Sequence, residues 1–505
     1  MLISLSSKST SISSMSATGL DSLRTVFNGT TMVLYFCAVT VLLTCTTVRG
    51  FANPYPRAGN ILGTGNTDLP VIITPYIEEG KIGEIRNLTR VEGFLNNVES
   101  YAGFATVNKK CNSNMYFWFF PAPNTSIKEV PVSVWLQGGP GATSLYGLFM
   151  ENGPFQLSPT YKLGARKYAW TSISSFLYID NPVGTGYSFT DGCYSKTEEE
   201  VGHNLLVAVK QILKMFPEIR KNPFYVTGES YAGKYVPALA YAIHKDSSPE
   251  EEKINLRGIA IGNGLVDPLN QLHYSDYLYQ LGMLDDNERA IFKAKEEECH
   301  NLIIEKNWRE AFHCFDELLN GDQSQYPTYF YNVTGFTNYF NYLYSKAVPQ
   351  ADLSKFITKN EVRTKIHVGN ATWHDGNEVE LNLIEDVMQS TRHWVEELLE
   401  HYKVLIYNGQ LDIIVAYPLT ESYLKELKWS AAGEYKTAKR YVWKVDNTVA
   451  GYVKTAGNLI EILLRDAGHM VPKDQPKWAL DMLSRFFNGK PFHRQKNSTD
   501  KNLSE

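Results

Sequence analysis

The chain has 505 residues, 43% of them hydrophobic and 13% aromatic, which is enough apolar material for a large buried core. Its formal net charge is -5, and the sequence has no stripe of lysines and arginines. A nucleic-acid-binding surface built on basic residues is therefore excluded. The sequence has no HExxH or CxxC spacing and no phosphate-binding glycine loop, so we predict no metal and no cofactor.

We interpret the amino-terminal region as a targeting signal. Residues 32–49 hold a continuous apolar run with Arg24 ahead of it and small or polar residues after it, as in a signal peptide. A polar, serine-rich lead, residues 1–31, precedes this run. We expect this signal peptide to be cleaved near residues 47–50. The alternative is that the segment stays uncleaved as an anchor, and only in that case do we predict association with a membrane. Residues 50–86 are predicted to be a linker or a short propeptide.

Potential glycosylation sites also indicate a lumenal protein. Six sequons lie downstream of the signal segment, and such an enrichment is typical of a glycosylated surface. They are at Asn87, Asn124, Asn332, Asn370, Asn497 and Asn502. The predicted location is therefore the secretory pathway, with the protein either secreted or held in a lysosomal or endosomal lumen.

Four cysteines remain once the signal segment is removed, because Cys37 and Cys45 lie inside it. The four allow three disulfide pairings in an oxidising compartment. They are Cys111, Cys193, Cys299 and Cys314. We prefer the pairing of Cys299 with Cys314, since both fall in the same predicted insertion.

A glycine-rich loop follows the apolar run at 132–136, which predicts a strand. Gly138, Gly139 and Gly141 surround Pro140 in this loop. Without Cβ atoms, the backbone N–H groups of such a loop can point into a cavity. This composition is typical of an oxyanion hole, which takes one donor from such a loop and another from the residue after a nucleophile.

The segment 224–235, FYVTGESYAGKY, has the pattern of a nucleophile elbow. An apolar run breaks at Gly228, presents Ser230 and then becomes helix-competent. The pattern departs from the usual one at Ala232, because the second glycine, Gly233, comes one position later. Taken alone, these glycines also suit simple strand-to-helix packing in any α/β protein.

Residues from about 270 to 395 differ in character from the rest of the chain. Helical patterns rich in acids and lysines, such as residues 285–312, replace the alternation of strands and glycines. We interpret this region as an inserted cap over the crevice. It lies within a predicted α/β domain at 87–490, and a polar tail follows at 491–505.

Two later strand-like runs supply a carboxylate and an imidazole. The run at 403–407 is followed by Asp412, and the run at 459–464 is followed by His469. The order Ser, Asp, His is that of α/β-hydrolases, and the carboxyl ends of strands form the ligand crevice of open α/β sheets. Asp267 and Asp466 compete for the carboxylate role, although both are more typical of local turns.

At this point the chain resembles the serine carboxypeptidases, and in particular their vitellogenic-like branch. The resemblance extends from about residue 87 to about 487. It is carried by WLQGGPG (135–141), ENGP (151–154), LYIDNPVGTGYSF (177–189), TGESYAGKYVP (227–237), GIAIGNGLVDP (258–268), YNGQLD (407–412) and GHMVPKDQP (468–476).

The resemblance implies an α/β-hydrolase fold with a mostly helical inserted cap and a serine-type exopeptidase that acts on peptides with a free C-terminus. The acyl-enzyme would form on Ser230, with His469 as general base and acid and Asp412 orienting it. The residues implied in binding are Gly139 and Tyr231 as oxyanion donors, Gln137, Gly138, Glu151 and Glu229 at the substrate carboxylate, and Met470 in the pocket of the departing residue.

Three positions depart from the family pattern. Gln137 stands in place of an asparagine and reaches one methylene further, Ala142 replaces a cysteine that is bridged to the insertion in many relatives, and Gln410 replaces an aspartate. None of these changes removes a chemical role, so we expect an active enzyme.

The implied site predicts two properties of the activity. Two carboxylates forced together in a partly dry site cannot both ionise cheaply, so we expect peptide hydrolysis to favour acidic pH. Met470 suggests a hydrophobic terminal residue. Acyl transfer to an alcohol, a non-catalytic scaffold role and a homodimer remain open.

Overall fold

The computed structural model describes residues 59–63, 68–94, 98–123, 126–324 and 327–493. The predicted signal segment, the polar lead before it and the sequons at Asn124, Asn497 and Asn502 lie outside these ranges.

Ten strands form one sheet within the described ranges, in the order β1-β2-β6-β3-β8-β9-β11-β14-β13-β12. Two short pairs, β4–β5 and β7–β10, lie outside it. The strands are β1 (Tyr101–Asn108), β2 (Ser113–Phe120), β3 (Val132–Leu136), β4 (Phe155–Leu157), β5 (Leu163–Ala165), β6 (Ser175–Ile179), β7 (Thr185–Gly186), β8 (Phe224–Glu229), β9 (Leu256–Gly262), β10 (His374–Asp375), β11 (Lys403–Gly409), β12 (Tyr441–Val445), β13 (Thr448–Ala456) and β14 (Leu459–Leu464).

The centre of the sheet is parallel, from β6 through β3, β8, β9 and β11 to β14. Its two margins, β1–β2 and β13–β12, are antiparallel. Strands β3 and β8 are buried along their whole length, as expected where both faces of a parallel sheet are covered. The predicted α/β class is confirmed by this arrangement.

Helices connect the strands and fill the region between β9 and β11. They are α1 (Thr74–Glu78), α2 (Ile82–Leu88), α3 (Glu198–Met215), α4 (Ala232–His244), α5 (Tyr274–Gln280), α6 (Asp286–Ile304), α7 (Trp308–Phe315), α8 (Tyr329–Thr334), α9 (Leu353–Ile357), α10 (Asn360–Lys365), α11 (Asn377–Leu383), α12 (Arg392–His401), α13 (Tyr417–Glu426), α14 (Ala432–Thr437), α15 (Val471–Asp474) and α16 (Pro476–Phe487).

Local sequence explains where the longer helices begin. Asp285 and Glu288 form a capping box at the start of α6, and Thr197 accepts a hydrogen bond from the Glu200 N–H at the start of α3. No helix in the described part of the chain is both long and apolar enough to cross a membrane.

Two disulfides cross-link the described part of the chain. Cys299 in α6 is bonded to Cys314 in α7, which confirms the preferred pairing, and Cys111 is bonded to Cys193. The first closes a short loop inside the helical region between β9 and β11. The second joins the β1–β2 turn to the segment before α3.

Part of the segment predicted as a linker or propeptide packs on the domain. Ile61 forms an antiparallel bridge with Trp373, and the Ile73 N–H donates to the Phe104 carbonyl at 2.8 Å. The side chains of Ile73 and Ile85 are completely buried. These residues are therefore part of the folded core.

Candidate active site

Four predicted site segments meet at one edge of the sheet. The glycine loop follows β3 and Ser230 follows β8, while Asp412 and His469 come just after β11 and β14. Because these strands are parallel, their carboxyl ends lie on the same side, which is where open α/β sheets bind their ligands. The sheet thus brings together residues that are far apart in the chain.

Ser230 occupies a sharp turn between β8 and α4. Its φ is +67°, in the left-handed region that a residue with a side chain rarely adopts, at a cost of about 1–2 kcal/mol. Its N–H donates to the Gly262 carbonyl at 3.0 Å, which fixes the turn against β9. A Cβ at Gly228 or Gly233 would come within 2.6 Å of backbone atoms. The flanking glycines are therefore required by close packing.

His469 is hydrogen-bonded to the predicted carboxylate. Its Nδ1 lies 2.8 Å from Asp412 Oδ2, and both side chains are completely buried. The same carboxylate oxygen accepts from Asn263 Nδ2 at 2.7 Å. Such a bond from Nδ1 orients the ring and leaves Nε2 as the nitrogen for proton transfer.

Contacts on the other side of the imidazole fix its position. The His469 N–H donates to the Phe340 carbonyl at 2.7 Å, and the two rings lie 5.0 Å apart between centroids. Nε2 is buried and has no hydrogen-bond partner among the described residues. Phe340 and Ser230 line the same small cleft.

The competing aspartates are engaged elsewhere. Asp267 lies 3.4 Å from Arg392 and accepts a hydrogen bond from Asn270, and Asp466 pairs with Arg465 at the surface. Asp412 is therefore the aspartate that contacts His469.

The glycine loop packs directly against the serine turn. A Cβ at Gly138 would lie 2.5 Å from the Tyr231 nitrogen and 2.7 Å from the Ser230 Cβ. Gly139 has a φ of +110°. Among the described residues, neither the Gly139 N–H nor the Tyr231 N–H donates to a protein acceptor. Both donors therefore remain available beside Ser230.

A buried aspartate, Asp180, holds the far end of the glycine loop. It accepts hydrogen bonds from the Thr143 hydroxyl at 2.5 Å, the Ser144 N–H at 3.1 Å and the Tyr187 N–H at 3.0 Å. Burial raises the pKa of Asp180 to about 6, while these hydrogen bonds oppose the rise. The carboxylate thereby ties the loop to the end of β6.

A cluster of two acids and one amide lies next to the serine. Gln137 Nε2 donates to Glu151 Oε1 and to Glu229 Oε1, each at 3.0 Å, and Gln137 Oε1 accepts from the Trp135 indole at 2.8 Å. All three polar side chains of the cluster are buried. Burial raises the pKa of Glu151, and hydrogen bonds with Glu229 and Gln137 limit the rise.

Met470 sits in a separate group of polar contacts. The Tyr146 hydroxyl lies 3.3 Å from Met470 Sδ and 3.0 Å from Gln350 Oε1. Lys473 Nζ donates to Gln350 Oε1 at 2.7 Å and to the Tyr146 hydroxyl at 3.3 Å. Burial lowers the pKa of Lys473, and the charge of Glu151 opposes that change. Lys473 thus brings a cation close to both Met470 and the acid cluster.

Sequence reasoning missed several of these residues. Asn263 could have been found, because it ends the strand-like run of the IGNG motif at the same sheet edge. Phe340 and Gln350 belong to the region between β9 and β11, and no local pattern points from there to the site. Asp180 and Lys473 lie in quoted motifs without a local signal of their role.

Sequence comparisons show which known proteins this chain is similar to. A family profile described as serine carboxypeptidase matches residues 91–489. The venom serine carboxypeptidase of Apis mellifera is 53% identical over 453 residues, covering 88% of this chain and 97% of the relative. The probable serine carboxypeptidase CPVL of Homo sapiens is 49% identical over 434 residues, covering 84% and 91%.

A solved structure shares the fold. The prohormone-processing carboxypeptidase Kex1 from Saccharomyces cerevisiae superposes with a TM-score of 0.68 at 23% identity, covering 82% of this chain and 98% of the other. The fold is thus that of the α/β-hydrolases. With a family profile that covers most of the chain and relatives about half identical to it, the chain belongs to the serine carboxypeptidase family.

Proposed function

We propose that this protein is a serine-type exopeptidase that removes the C-terminal amino acid from peptides. One observation carries the proposal: a buried acid–amide cluster lies one residue from a strained serine turn, at the sheet edge that also holds the His469–Asp412 pair. Such a site combines acyl-transfer chemistry with a means of recognising a terminal carboxylate.

The proposed reaction passes through an acyl-enzyme. Ser230 Oγ attacks the last peptide carbonyl while His469 Nε2 takes its proton, and Asp412 stabilises the resulting imidazolium. His469 then protonates the departing amino group, and a water molecule releases the acyl group by the reverse proton transfers. The N–H groups of Gly139 and Tyr231 stabilise the oxyanion, each by roughly 3–4 kcal/mol in enzymes of this type.

Recognition of the free C-terminus is assigned to Gln137, Glu151, Glu229 and the Gly138 backbone. A protonated carboxyl group can donate a hydrogen bond to a carboxylate, whereas two ionised glutamates would repel it. Gln137, whose amide donates to both glutamates, holds the two acids in place. The raised pKa of Glu151 supports the presence of such a proton. It also supports an acidic preference for peptide hydrolysis, because the donor is lost as pH rises through that raised pKa.

Met470 is assigned to the wall of the pocket that receives the departing side chain. Its thioether is flexible and apolar, which favours a hydrophobic terminal residue of variable shape. We place the enzyme in the lumen of the secretory pathway, because two disulfides join its described cysteines. The asparagines at 87, 332 and 370 are exposed, as glycosylation requires.

An N-blocked Phe-Leu dipeptide tests the proposal, with release of free leucine as the readout. The wild-type protein should release leucine, and Ser230→Ala should lower kcat by at least about a thousandfold, because the nucleophile is lost. The same dipeptide with a C-terminal amide should be a poor substrate, since it lacks the carboxylate.

Ser430→Ala, which changes an exposed serine after α13, serves as the matched control and should keep wild-type activity. Leucine release that persists in Ser230→Ala would refute the proposed nucleophile. Equal cleavage of the amide substrate would refute recognition of the terminal carboxylate. Formation of an ester in preference to free acid, when an alcohol is supplied, would reassign the reaction to acyl transfer.

A further inference from the structure

Lys473 carries a positive charge that the proposed reaction does not use. It lies in α15, four residues after His469, and its ammonium group donates to Gln350 Oε1 and the Tyr146 hydroxyl. Among the described residues, no carboxylate oxygen lies within 4.0 Å of Nζ. The adjacent Asp474 instead accepts from the Gly468 N–H at 2.8 Å and from Asn341 at 3.1 Å. The direct hydrogen-bond partners of Lys473 are therefore neutral, although the charges of Glu151, Asp474 and Glu229 act on it from further away.

These neutral partners line a cleft beside the one that holds Ser230, since Gly141 and Ala142 line both clefts. Tyr146 and Gln350 both line a cleft that Gly141 and Ala142 of the glycine loop also line. Tyr146 in addition contacts Met470, the proposed wall for the departing side chain. A substrate side chain that packs on Met470 would thus place its end close to Tyr146 and Gln350, the two residues hydrogen-bonded to the Lys473 ammonium group.

The ammonium group of Lys473 favours a terminal substrate residue whose side chain ends in a negative charge. A carboxylate is a stronger acceptor for an ammonium group than the neutral amide oxygen of Gln350, so it can take over that bond. Two aspartates line the same cleft: Asp352 pairs with Lys355 at 3.3 Å and caps α9 through the Ser354 N–H, and Asp375 accepts from the Asn377 N–H at 3.0 Å. A lysine or arginine side chain would meet the like charge of Lys473 in a partly buried site.

We propose that Lys473 selects the departing amino acid, accepting an acidic terminal residue, glutamate above all, and rejecting lysine and arginine. A glutamate side chain has an aliphatic part that can pack on Met470 and a carboxylate that can accept a hydrogen bond from Lys473. The inference rests on the proposed function and extends it, because the α-carboxylate keeps its own site at Gln137, Glu151 and Glu229.

Three N-blocked dipeptides with terminal Leu, Glu or Lys test this selection at pH 6, with kcat/KM as the readout. The wild-type enzyme should prefer Glu over Lys by at least about tenfold. Lys473→Met should lower the Glu-to-Leu ratio by about tenfold, Lys473→Glu should favour the Lys substrate over the Glu substrate, and Lys473→Arg should retain the wild-type order.

Lys477→Met provides the matched control, because Lys477 is exposed on α16 and pairs with Asp446. It should leave all three ratios at their wild-type values. Circular dichroism and thermal melting identify the variants that fold, and the Glu and Arg substitutions keep the test decisive should the Met variant unfold.

An unchanged Glu-to-Leu ratio in folded Lys473→Met would overturn the inference and leave the proposed function standing. An equal loss on all three substrates would also overturn it, since that pattern indicates binding of the α-carboxylate. Failure of the wild-type protein to hydrolyse any of the three would overturn the proposed function and this inference together.

Discussion

Glu151 is a carboxyl group whose ionisation is opposed by its surroundings. Its side chain is completely buried, and it shares the Gln137 amide with Glu229. Burial raises its pKa above the usual 4.5, so its proton persists above that pH and is lost as the pH rises further. The state with a proton donor for a substrate carboxylate is thus the low-pH state.

Replacing Glu151 by glutamine should flatten the pH dependence of substrate binding. For wild-type enzyme and an N-blocked dipeptide, we expect KM to rise from pH 5 to pH 8, because the carboxyl donor becomes a repelling anion. In Glu151→Gln the amide donates at every pH, so KM should change little over the same range. Steady-state kinetics at four pH values measure this.

The exposed acid Glu129 offers the control, and Glu129→Gln should retain the wild-type pH profile. A wild-type KM that is constant from pH 4 to pH 8 would contradict the role of the acid pair. A Glu151→Gln profile as steep as that of wild type would assign the pH dependence to another group.

At the scale of elements, α3 brings a further buried acid, Glu198, close to the residue that follows Ser230. Glu198 is the first residue of α3, and it lies near Tyr231 and near the buried pair of Lys234 and Asp386, whose Nζ–Oδ2 distance is 2.7 Å. Burial raises the pKa of Glu198 to about 8, and the charge of Lys234 opposes the rise. The folded protein therefore retains this proton at pH values where the unfolded chain has lost it.

This acid should make the fold less stable as pH rises. The pKa of Glu198 is 4.5 in the unfolded chain and about 8 in the folded protein, so between these values the folded state binds more protons. The free energy of unfolding then falls by roughly 1.4 kcal/mol per pH unit. Glu198→Gln should remove this contribution, so the variant gains stability over wild type between pH 5 and pH 8.

Denaturant unfolding of both proteins at pH 5 and pH 8 measures the difference, and Glu199→Gln, one residue on at an exposed site, is the control. The same loss of stability with pH in wild type and Glu198→Gln would show that Glu198 does not retain its proton.

At the scale of the whole molecule, the segment before the sheet is part of the fold. Ile61 pairs with Trp373 in the region between β9 and β11, while α2 buries Ile85 completely. The first contact links the described segment before β1 to the region that supplies Phe340 to the site. Processing that removed this whole segment would expose core surface.

Ile85→Ala should lower the free energy of unfolding by about 2–5 kcal/mol, the usual cost of truncating a fully buried aliphatic side chain. Leu88→Ala in the same helix should have a small effect, because Leu88 is 43% exposed. Urea unfolding followed by tryptophan fluorescence compares the two variants. Equal, small changes in both would indicate that α2 adds little to the stability of the fold.

Much of the candidate site could be predicted because its residues follow strands directly. Ser230, Asp412 and His469 each come just after an apolar run, and a run that ends in a glycine turn is visible in the sequence. The pairing of Cys299 with Cys314 was also within reach, since both lie in one helical stretch. Strand ends and short loops are local features, and local features can be seen without coordinates.

Local pattern determined which residues stand at strand ends, the α/β class and the order of the motifs. Only the tertiary structure decided that Asp412, and neither Asp267 nor Asp466, contacts His469, and that Gln137 bridges two acids. It also decided that Lys473 lies beside Tyr146 and Gln350. Contacts between distant segments depend on strand order and on packing of the whole chain, and no short stretch of sequence records either one.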